Sequence, residues 1–481
     1  MPSDKSIALR GGVWTSVSTA VTVLTAFLRL IILTRFLEKS DFGIVSIVNM
    51  VIGLCVTFTD LGFSSAIMYK KDITEKEYSS LFWMQLIIFF VLYLLICGAS
   101  PFIALFYNES QLTMLIPIAA LSVLFQAFGK LYDTVLQKKY QFKTIAFRNI
   151  STNLISLFWA VVLAIQGYGV YSLILSTLAY AMTLNAWNFF SGLRVQRISF
   201  YCNPQSVSKL LKIGVFQTGT RILDFISNKI DVMIIGKLLG AETLGIYDLA
   251  KNLVNTLVDL IKGVVSKVAL PILSNNNNDA EVVKSRFLTM TKIVAFITIP
   301  IGVAIAIFSK EILWIVYGSA YVDASIIVVL FAFISIFNSI CSFYDMLGVA
   351  KGRTDLNFYN TIARVILTTP IVYVTSLMSI NAVAYGQLFA TILQSIAFWI
   401  IVVDHTYPMS FKRYFSQFSN WLYVQLGCFV LMRIFIDAIE LSDSSILNLF
   451  IHIVTYTLLI VVSALLFAKK DIQYFISLIK K

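Results

Sequence analysis

The sequence predicts an all-α integral membrane protein with 14 transmembrane helices, arranged as two pseudo-symmetric six-helix lobes followed by two C-terminal helices. Three observations lead to this prediction. Of the 481 residues, 58% are hydrophobic and 13% are charged, and the mean hydropathy is +0.84, which is too apolar for a soluble globule. Apolar stretches long enough to span a bilayer recur along the whole chain. Finally, the first half of the chain is echoed by a second copy.

A membrane-spanning helix needs about 20 mainly apolar residues, and the chain offers 14 such stretches between short polar segments. We number them spans 1 to 14. Their approximate limits are 12–34, 42–67, 81–106, 112–136, 147–166, 170–191, 210–236, 245–272, 287–308, 325–350, 357–378, 381–403, 419–437 and 446–467.

The duplication is visible as a constant offset in residue number. Adding 202 to Leu37, Gly43 and Ile44 reaches Leu239, Gly245 and Ile246, and further along the offset drifts to 212, where Tyr132 meets Tyr344. An even number of spans returns the chain to the same side, so the two copies have the same orientation and form a parallel repeat. The predicted domains are an N-terminal lobe at 1–195, a C-terminal lobe at 206–405 and two additional helices at 419–468.

The net charge of +12 follows membrane topology rather than nucleic-acid binding. If the N-terminus is cytoplasmic, the cytoplasmic loops hold most of the Lys and Arg residues, whereas the opposite loops hold only Arg35, Lys39, Lys237 and Lys310. This asymmetry is typical of the positive-inside rule. We therefore expect both termini to be cytoplasmic, with the basic loops facing anionic membrane lipid. The five scattered cysteines and two isolated histidines predict no disulfide, metal or cofactor.

Polar residues line one face of several spans, a pattern that a lipid-facing surface would not tolerate. On span 8, seven polar or charged side chains from Asp248 to Ser266 share one helix face at 100° per residue. Span 7 carries a looser stripe that ends at Asp231, and spans 1 and 2, their counterparts under the duplication, carry similar stripes. We expect the four stripes to surround a water-filled cavity. Its candidate residues are the cations Arg29, Arg221, Lys229, Lys251 and Lys262, the acids Asp60, Asp224, Asp231, Asp248 and Asp259, and the polar residues Asn49, Gln217, Asn228, Asn252 and Asn255.

These charges are expected at two depths in the membrane. Arg29, Asp231, Asp248 and Lys251 fall in the outer half, and Asp60, Arg221, Asp224 and Lys262 in the inner half. Structural pairing is the alternative for any single charge, since Arg221 and Asp224 are three residues apart on one helix. Pairing is also the expected role of Lys130, Asp133 and Arg433, and the recurrent Tyr132 and Tyr344 are expected to be architectural.

Two motifs resemble a known family. The stretch Gly240-Ala241-Glu242-Thr243-Leu244-Gly245-Ile246-Tyr247-Asp248-Leu249-Ala250, and the stretch Thr59-Asp60-Leu61-Gly62-Phe63 with Lys70-Lys71-Asp72-Ile73-Thr74 after it, are similar to Wzx-type polysaccharide flippases of the multidrug/oligosaccharidyl-lipid/polysaccharide (MOP) exporter superfamily. The nearest likeness is to exporters of colanic acid and other exopolysaccharides, and it covers essentially the whole chain.

The resemblance implies a transporter that moves an undecaprenyl-diphosphate-linked oligosaccharide from the cytoplasmic to the outer leaflet of the bacterial inner membrane by alternating access. The five cavity cations would then bind the diphosphate, because a buried phosphate needs charge-assisted hydrogen bonds. The five acids would be the candidates for coupling to H⁺ or Na⁺. Polysaccharide polymerase machinery is a possible partner, and no catalytic residue is implied.

Three alternatives stay open from the sequence. The first is a drug or metabolite cation antiporter of the same superfamily, which would favour a twelve-helix body and a more aromatic cavity. The second is a lipid II flippase, on the same structural grounds. The third is an enzyme, a membrane polysaccharide polymerase or glycosyltransferase, although such enzymes usually carry catalytic residues on a large outer loop and the outer loops here are short.

Overall fold

The structure is a computed structural model in which every described regular element is a helix. It describes residues 4–59, 63–69, 73–274, 280–342, 344, 347, 351, 353–438 and 445–469, without the side chains of 4–10, 65–66, 69, 204–217, 220, 259–274, 354, 437–438 and 445–446. The helices of the first half are α1 (Asp4–Leu33), α2 (Lys39–Thr59), α3 (Phe63–Tyr69), α4 (Glu75–Tyr107), α5 (Leu112–Lys138), α6 (Phe142–Ile165), α7 (Val170–Leu193) and α8 (Pro204–Leu238). Those of the second half are α9 (Gly240–Ser274), α10 (Ala280–Ile307), α11 (Ser309–Val316), α12 (Ser325–Cys341), α13 (Thr354–Ser376), α14 (Ile380–Phe398), α15 (Phe411–Phe415), α16 (Ser419–Ala438) and α17 (Ser445–Phe467).

The all-helical membrane class predicted from the sequence is confirmed. Within the described residues, ten helical segments are long and apolar enough to cross a membrane. A 3₁₀ turn at Ser319–Ala324 precedes α12, and a π-helical turn at Trp399–Asp404 ends α14.

Local sequence signals explain where several helices begin and end. The side chain of Thr74 accepts a hydrogen bond from the Glu77 backbone N–H, and the Glu77 carboxylate accepts one from the Thr74 N–H. This capping box satisfies two free donors at the start of α4. At the other end, Asn108 takes a left-handed conformation with φ 57° and stops the helix. The turn between α6 and α7 contains Gly167 at φ 80°, a conformation that glycine adopts without strain.

The chain divides into two compact units, residues 1–248 and 249–481. In the first unit, α7 packs on α5 and α6, α6 packs on α1, and α5 packs on α4 and α2. Helix α8, which the sequence assigns to the second repeat, also belongs to this unit, because it packs along α2, α3 and α4. The limits of the predicted lobes therefore remain a prediction.

Tyr132 and Tyr344, the recurrent pair, each sit at the centre of a buried aromatic cluster. Tyr132 packs against Tyr78 with ring centroids 5.5 Å apart and against Phe189 at 5.8 Å. Tyr344 packs against Phe287 at 6.0 Å and Tyr414 at 5.5 Å. Both rings are almost fully buried, which agrees with their predicted architectural role.

In the second unit, the two C-terminal helices bond to the backbone of α10. Pro300 lies inside α10, and since proline has no N–H it takes away the helical donor of the Phe296 carbonyl. The Trp421 indole of α16 donates to that oxygen at 3.3 Å. The Tyr456 hydroxyl of α17 donates to the Pro300 carbonyl at 2.9 Å, and Arg433 donates to the Ala306 carbonyl at 2.8 Å. The pairing role predicted for Arg433 is confirmed.

Replacing Tyr456 with phenylalanine is expected to destabilise the protein by about 1 kcal/mol, since a hydrogen bond between helices in a membrane protein contributes about that much. The measurement is thermal unfolding of the purified protein in detergent. Tyr423→Phe is the matched control, because Tyr423 is 62% exposed on α16. Equal melting temperatures for the two variants would show that α17 does not support α10 through this bond.

Candidate functional site

The first unit contains a point where α2 and the start of α9 cross in direct backbone contact. A Cβ atom added to Gly43 would lie 1.8 Å from the carbonyl oxygen of Ala241, and one added to Gly245 would lie 2.0 Å from the carbonyl oxygen of Lys39. No side chain larger than hydrogen fits at either position. We call this contact the glycine crossing.

The glycine crossing is reciprocal in the numbering of the duplication. Gly43 plus 202 is Gly245, and Lys39 plus 202 is Ala241, so each glycine contacts the position equivalent to the one its counterpart contacts. A contact of this form is what a twofold relation between two segments produces. The two segments that the 202-residue offset relates in the sequence are therefore related in the structure by an approximate twofold rotation, where α2 contacts the start of α9.

One turn further along both helices, a polar bond follows the same relation. The Ser46 hydroxyl donates to Asp248 Oδ2 at 2.6 Å, and the two residues are 202 apart. Beside it, the Tyr247 hydroxyl donates to Asp231 Oδ2 at 2.8 Å, and the Val232 N–H donates to Asp231 Oδ1 at 2.8 Å. The structure thus brings two predicted acids, Asp231 and Asp248, to the glycine crossing, where both accept hydrogen bonds within the protein.

Beyond this hydrogen bond, three of the predicted cavity residues of the first unit are exposed. Ser46 is buried, whereas Asn49 on the next turn of α2 is exposed, and so are Arg221 and Asn228 on α8. Asp224 and Lys229 on α8 are partly buried. Polar groups at membrane depth require water or a polar ligand. These exposed residues are therefore the members of the predicted set that can contact water or a polar ligand in this unit.

Three predicted residues lie on α9 in the second unit. Asn252 is exposed there, and Lys251 and Asn255 are partly buried. Four predictions cannot be placed: Asp60 lies outside the described residues, and so do the side chains of Gln217, Asp259 and Lys262.

Arg29 is oriented by α7, a helix that the polar stripes did not single out. Its Nη2 donates to the Leu173 carbonyl at 3.0 Å, the Ser176 hydroxyl at 2.8 Å and the Thr177 hydroxyl at 3.1 Å. Among the described residues, no carboxylate forms a salt bridge with it. One edge of the guanidinium is therefore fixed by neutral acceptors, and its positive charge is not cancelled there. The sequence feature that could have identified α7 as the partner of Arg29 is the run of small polar residues on α7, such as Ser172, Ser176 and Thr177.

A second buried cation ties three helices together. Arg148 on α6 donates from Nη1 to Asp133 Oδ1 of α5 at 2.5 Å and to the Asn188 side chain of α7. Asp133 also accepts a hydrogen bond from Gln137 at 2.8 Å. The pairing role predicted for Asp133 is confirmed, and Lys130 contacts the Thr59 hydroxyl at 3.2 Å. The sequence pattern did not identify Arg148, which lies at the first turns of its span.

Ten membrane-length apolar helical segments in the described part of the chain make this a multi-pass membrane protein. Residues 32–326 match the model of a family described as polysaccharide biosynthesis protein, and the chain belongs to that family.

Comparison with individual proteins confirms the predicted likeness to polysaccharide flippases. The chain is 27% identical over 359 residues to the teichuronic acid biosynthesis protein TuaB of Bacillus subtilis (strain 168), covering 75% of this chain and 74% of TuaB. It is 22% identical over 429 residues to the lipopolysaccharide biosynthesis protein WzxC of Escherichia coli (strain K12), covering 87% of this chain and 85% of WzxC.

Solved structures show the same fold in the MOP superfamily. The lipid II flippase MurJ, in an inward closed conformation, superimposes with a TM-score of 0.80 at 16% identity, covering 95% of this chain and 99% of MurJ. An inward-facing multidrug resistance MATE family transporter superimposes with a TM-score of 0.60 at 15% identity, covering 81% of this chain and 96% of that one. At these identities the likeness concerns the fold alone.

Proposed function

We propose that the protein carries an undecaprenyl-diphosphate-linked oligosaccharide from the cytoplasmic to the outer leaflet of the bacterial inner membrane by alternating access between two six-helix lobes, 14 helices in all. The glycine crossing supports this proposal best. A twofold contact between equivalent helices is a natural pivot or closure for two repeats that rock against each other. Membership of the polysaccharide biosynthesis family supports the class of cargo.

Topology assigns a direction to the site. With both termini cytoplasmic, as the positive-inside rule favours, α2 runs inward from Lys39 and the glycine crossing lies at the outer side. The exposed Asn49, Arg221 and Asn228 then lie on the inner side of the Ser46–Asp248 bond. We propose that the Ser46–Asp248 contact closes the outer side in this state and that the exposed polar side chains meet the cargo from the cytoplasmic side.

The transport step follows from these contacts. The diphosphate enters from the cytoplasmic side and engages Arg221 and the other inner cations, while the polyprenyl tail stays in lipid. Opening toward the outside then requires α2 and α9 to separate at the glycine crossing, which breaks the bond between Ser46 and Asp248. Arg29, held by α7 in the outer half, receives the diphosphate before release.

We propose that the coupling ion binds at the carboxylates that lie at the contact between α2 and the start of α9. A proton on Asp248 would remove the charge that strengthens its hydrogen bond with Ser46, so proton uptake from the outside would favour opening. A sodium ion bound by the same carboxylate would act similarly. Asp224 remains a second candidate, since it lies partly buried beside the exposed face of α8.

The test is leaflet transfer in proteoliposomes that contain the purified protein and a fluorescent polyprenyl-diphosphate oligosaccharide. The proposal predicts transfer well above that of protein-free vesicles, and at least a tenfold loss in Arg221→Ala. Arg353→Ala is the matched control, because Arg353 is an exposed arginine that pairs with Asp355 at the start of α13. Transfer at the rate of empty vesicles would contradict a flippase, and elongation of the oligosaccharide by the purified protein would favour the polymerase alternative.

A cation antiporter of the same superfamily is distinguished by its cargo. Uptake of a lipophilic drug cation by the same proteoliposomes, without transfer of the lipid-linked oligosaccharide, would favour that alternative. Among the predicted cavity residues of the first unit, the exposed ones are Arg221 and two asparagines, which suit an anionic head group better than a cation.

The orientation of Arg29 by α7 leads to a further prediction. Removing both hydroxyls in Ser176→Ala/Thr177→Val is expected to slow leaflet transfer about tenfold, since two hydrogen bonds to a charged group are lost. Ser172→Ala is the matched control, because Ser172 is buried on the same helix and its hydroxyl bonds, among the described residues, only to the Gly169 carbonyl. Unchanged transfer in the double variant would show that Arg29 needs no orientation from α7.

A further inference from the structure

The segment between α7 and α8, residues 194–203, is fastened to the start of α4. The Ser199 N–H donates to the Ser79 hydroxyl at 2.9 Å, and the Asn203 N–H donates to the Ser80 hydroxyl at 3.0 Å. The Trp83 indole donates to the Ser199 carbonyl at 3.0 Å. We call this segment the basic connector.

The other side of the basic connector is fastened to α5. The Tyr132 hydroxyl donates to the Gln196 carbonyl at 3.1 Å, and Lys139 donates to the Val195 carbonyl at 3.2 Å. The side chains of Val195 and Ile198 pack on the buried aromatic cluster around Tyr132. The connector is therefore held in one conformation by hydrogen bonds and by apolar packing.

This fixed backbone presents an aromatic ring to the surroundings. Phe200 is 96% exposed, and its ring stacks on the outward side of Trp83 with centroids 5.4 Å apart. In water, such full exposure of a phenylalanine forfeits the free energy gained by burying it. At the boundary between lipid head groups and acyl chains, an exposed aromatic ring is favourable.

The charges of the basic connector are of one sign. Arg194 and Arg197 are exposed, and residues 194–203 contain no Asp or Glu. Lys76, on the first turn of α4, lies over the Tyr201 ring at 5.6 Å. The connector begins immediately after Leu193, the last residue of the 24-residue helix α7, and Lys76 lies at the start of α4, which is long and apolar enough to cross a membrane. The cations therefore lie near helix ends, where contact with lipid head groups is expected.

We propose that the basic connector is a binding surface for anionic phospholipid in the leaflet that it faces. Arg194 and Arg197 bind the head-group phosphate, and Phe200 inserts beside the upper acyl chain. The occupant is a lipid rather than a nucleic acid or an acidic protein, because the exposed ring and the cations lie beside the start of α4, a helix long and apolar enough to cross a membrane. This surface is separate from the proposed cargo site and does not depend on the transport activity.

The experiment measures lipid retention by native mass spectrometry of the full chain in detergent, with phosphatidylglycerol and phosphatidylcholine of identical acyl chains. The wild-type protein is expected to retain phosphatidylglycerol preferentially. Arg194→Gln/Arg197→Gln should weaken that retention about thirtyfold, which corresponds to about 1 kcal/mol for each basic residue near an anionic surface. Phe200→Ala should weaken the retention of both lipids equally.

The control variant is Arg35→Gln/Lys310→Gln, which removes the same amount of positive charge from loops that the expected topology places on the other side of the membrane. It should leave lipid retention unchanged. Equal retention of the two lipids by the wild-type protein, or full retention by the connector variant, would overturn the proposal. Displacement of the lipid by millimolar inorganic phosphate alone would also overturn it, since that would indicate a site for free phosphate.

A second measurement places the ring itself. Phe200→Trp should add tryptophan emission that brominated phosphatidylglycerol quenches in vesicles. Added emission quenched only by aqueous iodide would show that the connector faces solvent or another protein, and would contradict lipid binding.

Discussion

Gly43→Ala is expected to reduce leaflet transfer at least tenfold. The added Cβ would lie 1.8 Å from the Ala241 carbonyl oxygen, and this overpacking destabilises the closed contact between α2 and the start of α9 by about 1–3 kcal/mol. The state that takes up cargo from the cytoplasm is then less populated, which slows the transport cycle. The contact is made by backbone atoms, which cannot rotate away as a flexible side chain could. Gly245→Ala should have the same effect, because its Cβ meets the Lys39 carbonyl oxygen in the same way.

Gly98→Ala is the matched control for these variants. Gly98 lies inside α4 and a Cβ there would meet nothing within 4 Å, so alanine should be tolerated or slightly stabilising through helix propensity. Transfer in proteoliposomes and the melting temperature in detergent are measured together. Wild-type transfer and melting temperature in Gly43→Ala would show that the glycine crossing is not required.

Arg148→Ala is expected to lower the free energy of unfolding by about 3–5 kcal/mol, because it leaves the Asp133 carboxylate without its buried partner. The Asn188 side chain loses its donor at the same time. Thermal or denaturant unfolding of the purified protein measures this loss. Arg197→Ala is the control, since Arg197 is exposed in the basic connector.

A compensating variant separates the charge from the packing. In Arg148→Met/Asp133→Leu both charges of the ion pair, one buried and one partly buried, are replaced by apolar side chains, and part of the lost stability should return. A stability equal to that of Arg148→Ala would indicate that the helices are held by shape rather than by the ion pair. A melting temperature of Arg148→Ala equal to that of Arg197→Ala would contradict the structural role of Arg148.

Hydropathy and periodicity predicted the class of fold, because a long apolar helix is determined by residues that are close together in the sequence. The packing of α8 against α2 was not predictable in this way. That contact includes Gly53, whose Cβ would lie 2.9 Å from the Phe225 ring, and such complementarity depends on residues far apart in the chain. Short helices such as α3 and α15 are also below the length at which a period can be recognised.

The sequence predicted the part of the candidate site that lies on the two repeated segments. Gly43 and Gly245 were paired by their offset, although the offset alone does not say that equivalent residues touch. They touch because they lie close to the approximate twofold axis that relates α2 to the start of α9. Ser46 and Asp248 also lie close to that axis. The stripe pattern identified Arg29 but assigned it no partner on α7, since Ser176 and Thr177 bond to it across 147 and 148 residues of sequence.

For the cargo to reach the outer leaflet, the contact between α2 and the start of α9 at Ser46 and Asp248 must open. The direct measurement joins these positions in Ser46→Cys/Asp248→Cys, in a protein from which the five native cysteines have been removed, with a short reducible cross-linker between the thiols. We expect leaflet transfer to fall to the rate of empty vesicles while the link is intact and to return after reduction. Undiminished transfer by fully cross-linked protein would contradict it.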